Sequence, residues 1–347
     1  MSKKQSILVL DLFSWSPSLT IELLETCSAK TINAKLITGH MRDAHKRESF
    51  KKYNVEYLSV ENHGKIVKLL TLFINIKFII SECLKADKIL LVWKTVLIYD
   101  SMLLVVFGKK IFYFEHNIIE HNRKNITIYD KVRWYLAKNI VFMSNYTFEK
   151  FNKLVPANNS NKLILQHPLI DQSKNVRPNV SKISDRVCFV GSSRSYRGLQ
   201  RFVANIASKA IVKVDVFTSV DSSTEQLCNR YGNVHVSNGF LMSRDFVNKL
   251  QRYRLFVLPY LRSSQSGIFY SIIANDGIPI VTDTGDTAEK LRKFGLGELV
   301  FDLDAPDSFS KVVDFIMENK GEIDDKIQKL KTSIRSSYVD NISDILY

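Results

Sequence analysis

The sequence predicts an α/β protein made of two doubly wound halves, each a parallel sheet covered by helices. Three observations carry that expectation. Short apolar runs alternate with amphipathic stretches along nearly the whole chain, as strands joined by crossover helices do. The alternation breaks once, in the polar stretch 171–185, and then restarts. A chain of 347 residues with 45% hydrophobic content can also fill two cores of ordinary size.

In the first half the apolar runs predict strands at 6–10, 34–38, 89–92, 110–114, 140–143 and 163–166. Between them, helices are expected at 19–28, 65–84, 95–107, 127–137 and 146–153. After the polar stretch, strands are expected at 187–190, 212–217, 234–236, 255–258, 278–282 and 299–301. The intervening helices read as 199–209, 223–230, 244–251, 268–275, 287–294 and 307–317, with a helical tail from 323 to 337. The expected division is 1–170 for a first lobe, 171–185 for a linker, 186–325 for a second lobe and 326–347 for a tail that packs back on the first. A cleft between two such lobes is a common place for a ligand.

The charge is uneven. Residues 1–174 carry 26 Lys and Arg against 15 Asp and Glu, while 175–347 carry 23 against 20. A basic first half suits an anionic partner, either a membrane surface or a phosphate-bearing acceptor, or is a lysine-rich surface without one. Nucleic acid is disfavoured, because the sequence has no recognised binding motif, basic helix or aromatic–basic repeat. Cys27, Cys83, Cys188 and Cys228 are far apart with no C-x-x-C, which predicts free buried thiols and a reducing, cytoplasmic setting rather than disulfides or a metal site. Residues 1–5 lead straight into a short strand-like run, so no cleaved leader is expected. The most apolar stretch, 66–80, carries Lys68 and Lys77, and the next, 95–107, contains Asp100. Both fall short of the roughly 20 apolar residues of a membrane span and read as core helices, or for the first as one with a face at the bilayer surface.

Two loops carry the chemistry. Leu255 to Leu258 is a buried strand ended by Pro259-Tyr260. Ser264-Gln265-Ser266-Gly267 then opens a helix, and Gly277-Ile278-Pro279-Ile280-Val281 follows. A small polar loop at a helix start, after a parallel strand, offers N–H groups and a positive dipole end to a phosphate. The Ser264 and Ser266 hydroxyls and the amides of Ser266, Gly267, Ile268 and Phe269 would hold it, and either serine can also serve simply as the helix cap. Earlier, Phe189-Val190-Gly191-Ser192-Ser193-Arg194-Ser195-Tyr196-Arg197-Gly198-Leu199 runs from strand through a Gly/Ser loop with two cations into a helix. Gly191 and Gly198 allow close backbone approach, and Arg194 and Arg197 can clamp phosphate oxygens.

In this order and spacing, the two loops resemble those of the nucleotide-sugar-binding half of GT-B glycosyltransferases of the retaining group 1, GT4-like family. That family has a strand ending in Gly, a basic residue and Gly at a helix start, and later E-G-F-G-x-x-x-x-E ahead of G-x-P-V. Gly191 and Arg197-Gly198 match the first part, and Gly267 and Gly277–Val281 the second. Ser264 and Ile272 stand at the two acidic positions, and Ser-Gln-Ser-Gly with Arg194-Ser195-Tyr196-Arg197-Gly198 is similar to a subgroup of the family. Asp283-Thr284-Gly285-Asp286 resembles the family's T-x-x-G loop. In the first half, Phe114-Glu115-His116-Asn117-Ile118-Ile119-Glu120-His121 resembles the family's strand-plus-His-Asn segment, and Gln166-His167-Pro168 its lobe end.

The resemblance implies two Rossmann-like lobes and transfer of a sugar from a nucleotide-diphosphate sugar to a glycan or polyprenyl-diphosphate-linked acceptor, in capsule or O-antigen assembly. It implies His116, Arg194 and Arg197 as catalytic residues. It implies donor binding by Gly191, Ser192, Tyr196, Asn238, Gly239, Phe240, Ser264, Gln265, Ser266, Gly267, Ile268 and Phe269, with the base on the loop 237–241. Acceptor-side residues would be Ser14, Trp15, Asn117 and His121. No cofactor or metal is expected, since the arginines would neutralise the diphosphate. Peripheral contact with the inner face of the cytoplasmic membrane would explain the basic first half. The absence of both acidic positions motivates a second reading, a non-catalytic nucleotide-sugar or glycan-binding protein on this fold. A third, a GT-B epimerase, lacks its distinctive residues. A glycosidase would need two placed carboxylates, and Glu115 and Glu120 do not by themselves make that pair.

Overall fold

The computed structural model describes residues 5–14, 17–39, 44–58, 73–119, 125–170, 182–209, 212–239, 241, 243–263 and 265–347. It divides into two units, Met1–Pro168 with Ser337–Tyr347, and Leu169–Ser336.

The first unit holds a seven-stranded sheet of β1 (Ser6–Asp11), β2 (Asn33–Gly39), β3 (Asn54–Leu58), β4 (Lys88–Leu91), β5 (Ile111–Glu115), β6 (Asn139–Phe142) and β7 (Asn161–Ile164). Their order is β3-β2-β1-β4-β5-β6-β7, and every pair is parallel. The central strands are buried on both faces, which is why they read as unbroken apolar runs. The helices are α1 (Pro17–Ala29), α2 (Ala44–Phe50), α3 (Ile76–Lys85), α4 (Leu97–Phe107), α5 (Ile128–Leu136) and α6 (Asn145–Leu154). Ile79, Leu103, Trp134 and Phe151 bring α3 to α6 into one core on one sheet face. Leu23 of α1 shares the other core with Ile342 and Ile345 near the C-terminus.

The second unit holds β8 (Ile183–Val190), β9 (Lys213–Thr218), β10 (Val234–Asn238), β11 (Tyr253–Leu258), β12 (Ile278–Thr282) and β13 (Val300–Phe301), in the order β10-β9-β8-β11-β12-β13 and again all parallel. Its helices are α7 (Leu199–Phe202, continued as a π turn over Val203–Ala207), α8 (Ser222–Asn229), α9 (Ser243–Arg252), α10 (Gly267–Ala274), α11 (Gly285–Lys293), α12 (Ser308–Glu318) and α13 (Lys320–Leu346).

Several expectations change. Strand β3 and helix α2 were not legible: only Leu58 of β3 is buried, so the edge strand shows no apolar alternation. The expected linker 171–185 lies outside the described residues up to 181, and its last three residues belong to β8, which begins at Ile183. The tail expected as a helix over 323–337 is one 27-residue helix, Lys320–Leu346, and the first unit takes its residues from Ser337 onward. The expected helix 65–84 is described only from 73, with α3 beginning at Ile76. All four cysteines are free and buried. No helix among the described residues is long and apolar enough to cross a membrane.

Candidate functional site

Both sheets reverse strand order beside their first strand, at β1/β4 and at β8/β11. Two loops diverge there, at the carboxyl ends of parallel strands, and leave a crevice for a ligand.

In the second unit these loops are the two singled out by sequence, and the structure ties them together. The Leu261 N–H donates to the Tyr196 carbonyl at 2.8 Å. Gly198 sits at φ +67°, and a Cβ there would run into the Pro259 carbonyl. Gly191, at φ +117°, leaves the space that the Arg197 guanidinium and Ile268 fill. Positive φ strains any side chain at both positions, and at Gly198 the Pro259 carbonyl also leaves no room for one.

Arg197 is the centre of the arrangement. Its guanidinium lies 5.6 Å from the Tyr260 ring centroid, within cation–π range. Its Nε and Nη1 are buried without a hydrogen-bond partner. Burial opposes the charge, but the Tyr260 and Tyr196 phenols outweigh it and hold the pKa above the usual arginine value. The Ser263 hydroxyl, in the loop that follows Tyr260, is also buried and unpartnered. Two guanidinium nitrogens and a hydroxyl buried without partners cost free energy unless a ligand supplies acceptors.

Ser266 caps α10: its Oγ accepts the Phe269 N–H at 3.4 Å and lies 3.0 Å from the Tyr260 hydroxyl. Tyr260 is held in turn, its carbonyl accepting from the Thr282 hydroxyl at 2.6 Å. The other residues expected at these two loops differ in exposure and in what already engages them. Phe269 has its amide engaged in the cap and its ring fully buried, so it offers a ligand nothing direct. Gly267, Ile268 and Gln265 are half-buried at the helix start. Ser192 and Arg194 are exposed, and the Arg194 carbonyl accepts the Arg197 N–H at 2.8 Å. Ser264 lies outside the described residues.

Asn238 is exposed and braces its loop. Its Oδ1 accepts the Val220 N–H at 3.0 Å, and its Nδ2 donates to the Val220 carbonyl at 3.3 Å and to Glu225 at 2.8 Å. Gly239 is exposed, and a Cβ there would meet nothing. Phe240 lies outside the described residues. Beside this loop a cavity of about 400 Å³ is lined by Phe217, Ser237, Gly239, Leu241 and Lys249 among others. A larger cavity, about 480 Å³, lies against β13 and α12 and contains none of the expected site residues.

In the first unit, the expected residues serve mainly to shape the loops. Ser14 stands at φ +52°, and its hydroxyl donates to the Gly39 carbonyl at 2.7 Å, fixing the loop after β1 to the end of β2. Trp15 and His121 lie outside the described residues. Asn117 is half-buried, its N–H donating to Glu115 at 3.2 Å. Glu115 is itself buried and accepts the Trp134 indole N–H at 2.6 Å, and burial pushes its carboxyl pKa up.

His116 is buried. Its Nε2–H donates to the Val92 carbonyl at 2.7 Å, which sets the tautomer, and its ring lies 4.3 Å from Trp93. Burial pushes its pKa down from 6.5 to about 4, against the Val92 hydrogen bond. It is therefore a neutral imidazole at neutral pH. As pH falls below 6.5 the unfolded chain takes up this proton and the folded chain does not, so stability is lost between pH 6.5 and about 4. The loss due to His116 is about 3 kcal/mol. Urea titrations at stepped pH should show a flatter acid limb for His116→Gln than for wild type, and equal slopes would refute the assignment. His167, buried, donates Nδ1–H to the Pro168 carbonyl at 2.8 Å, a backbone role at the unit boundary.

Sequence reading missed Tyr260, Ser263 and Trp93. Tyr260 carried one signal, an aromatic residue between the strand-ending Pro259 and the polar loop. Nothing in the sequence marked the other two. Among the described residues no group of three or more His, Cys, Asp or Glu is placed to hold a metal ion.

No protein-family model matches this sequence. No curated protein matches it either. Solved structures do. A glycosyltransferase from Rickettsia africae aligns over 99% of this chain and 96% of its own, with a TM-score of 0.68 at 13% identity. Sucrose-phosphate synthase from Thermosynechococcus elongatus aligns over 99% and 96%, with a TM-score of 0.69 at 11% identity. Anabaena HepE, solved with UDP and glucose, aligns over 98% and 97%, with a TM-score of 0.69 at 11% identity. At such identities the likeness establishes the fold: two parallel-sheet, Rossmann-like units of the type found in GT-B glycosyltransferases.

Proposed function

We propose that the chain is a glycosyltransferase that takes a sugar from a nucleotide-diphosphate donor bound by the second unit. The observation that carries this reading is Arg197, a half-buried cation whose Nε and Nη1 are buried and unpartnered, in the loop tied to the one that leads into the capped start of α10. A diphosphate is dianionic or more, matches the guanidinium fork, and accepts from helix-start amides. In the proposed reaction the anomeric carbon–oxygen bond to the diphosphate breaks as the acceptor oxygen bonds to that carbon. Arg197 and Arg194, with the Gly267 and Ile268 amides, stabilise the charge gathering on the departing diphosphate. The acceptor proton passes to a diphosphate oxygen on the same face, which gives retention and needs no separate base. The cations do the work otherwise given to a metal. The acceptor, a glycan or a polyprenyl-diphosphate-linked glycan, is assigned to the loops after β1 and β5 of the first unit. Surface polysaccharide assembly at the inner membrane face fits that acceptor.

A non-catalytic nucleotide-sugar binder on the same fold is the second reading. Ile272, at the position where relatives of the resembled family carry the second acidic residue, is fully buried in the core and cannot reach a ribose. A panel of UDP-, GDP- and dTDP-sugars separates the two. Calorimetry should find a donor that binds, and product analysis should find its slow hydrolysis or its transfer to an added acceptor. Binding without turnover under any acceptor supports the binder, and no binding to any member overturns the donor-site assignment.

A further inference from the structure

The layer of α3, α4, α5 and α6 over one sheet face of the first unit has an unusual outer surface. Among the described residues, ten of the fourteen exposed large hydrophobic side chains lie on this layer or directly before α3, while the second unit exposes Leu261 alone. Such concentration on one side marks an interaction surface rather than scattered exposure.

Helices α4 and α5 make its centre. Helix α4 is apolar nearly all round: Leu103, Leu104 and Phe107 face the core, yet Ile98, Val105 and Val106 are 68%, 66% and 62% exposed. Its neighbour α5 exposes Ile128, Tyr129 and Tyr135. A helix apolar on both sides is ordinarily covered on both. The charges are sorted as well. The acidic residues of these two helices, Asp100 and Asp130, are buried, paired with Arg133 at 2.7 Å and with Lys94 at 3.3 Å. The charged side chains left outside are Lys131 on α5, with Lys109 and Lys138 just past the two helix ends, all exposed. Lys138 reaches the C-terminal turn of α4, its Cγ 3.4 Å from where a Gly108 Cβ would stand.

We propose that the α4–α5 face docks on an anionic lipid bilayer. Its aliphatic side chains enter the headgroup boundary, its tyrosines sit at the level where aromatic side chains favour the interface, and its lysines meet lipid phosphate. A second copy of the chain fits less well. A two-fold interface would set this lysine-bearing, carboxylate-free face against itself, with like charges opposed. The inference rests on no part of the transferase reading, because its test needs no turnover.

The test is flotation of the full chain with vesicles of phosphatidylcholine alone or with about 30% phosphatidylglycerol, at roughly 50 mM and 500 mM salt. Wild type should float with the anionic vesicles at low salt and be released at high salt. Ile98→Ser with Val105→Ser should weaken partitioning by about tenfold or more, and Lys131→Glu with Lys138→Glu should abolish the preference for anionic lipid. All four side chains are exposed, so circular dichroism should report an unchanged fold. A wild-type chain that stays unbound, or serine variants that float as wild type does, overturns the proposal. A concentration-dependent dimer that the serine variant abolishes, without flotation of wild type, overturns it in favour of a second copy.

Discussion

Arg197→Ala is expected to lose about a hundredfold in kcat/KM, with kcat falling alongside, while the folded protein is as stable as wild type or more so without ligand. The two halves of this prediction share one cause. The Arg197 Nε and Nη1 are buried without partners, and only Tyr260 and Tyr196 favour the charge. In the free protein that arrangement costs stability, because desolvated N–H donors are left unmade. A diphosphate supplies the missing acceptors, and more strongly as charge builds on it during departure. Arg197→Lys should restore little, since a point charge on a flexible stem reproduces neither the fork nor the stacking on Tyr260. Steady-state kinetics with the donor identified by the panel, paired with thermal unfolding of the free protein, measures both halves. Wild-type turnover in Arg197→Ala would remove the clamp, and a large drop in free-protein stability would show a structural residue instead.

Asp100→Ala is expected to cost about 3–5 kcal/mol of stability. Asp100 is fully buried and accepts from Arg133 Nε at 2.7 Å and from the Thr95 N–H at 2.9 and 3.1 Å, while Arg133 Nη2 donates to the Thr95 carbonyl at 3.2 Å. Burial pushes its carboxyl pKa up, against the opposing pull of Arg133 and Thr95. Truncation leaves the Arg133 Nε and the Thr95 N–H unpaired together and a buried guanidinium without its counter-charge. The damage falls on the loop between β4 and α4, where Trp93 packs against His116. Urea unfolding followed by tryptophan fluorescence would measure it. A change under about 1 kcal/mol would mean the network is solvated and not part of the core.

Much of the frame was legible in sequence because its signals are local. The apolar runs of β1, β8, β11 and β12 announce strands buried on both faces, and Gly191, Gly198 and Gly267 punctuate the turns between strand and helix. Where the local signal is weak, the reading failed. Strand β3 has one buried residue, and α2 (AHKRESF) has no apolar period. The site was legible as loops but not as individual contacts. Asn238 and Ser14 are polar residues of the expected kind in the expected loops, yet each is occupied in holding its own loop.

By itself, then, the sequence determined the two parallel α/β halves and the pair of glycine-bearing loops that the second unit brings together, since both follow from periodicity and from glycine's freedom at positive φ. The tertiary structure alone decided which side chains in those loops are available. Ser14 meets Gly39, His116 meets Val92, and Leu261 meets Tyr196, partners from 24 to 65 residues apart in sequence. Hydrogen bonds over such separations leave no periodic trace, so the sequence could not tell which polar groups of a loop are already engaged and which, like Arg197 Nε and Nη1, are buried without a partner.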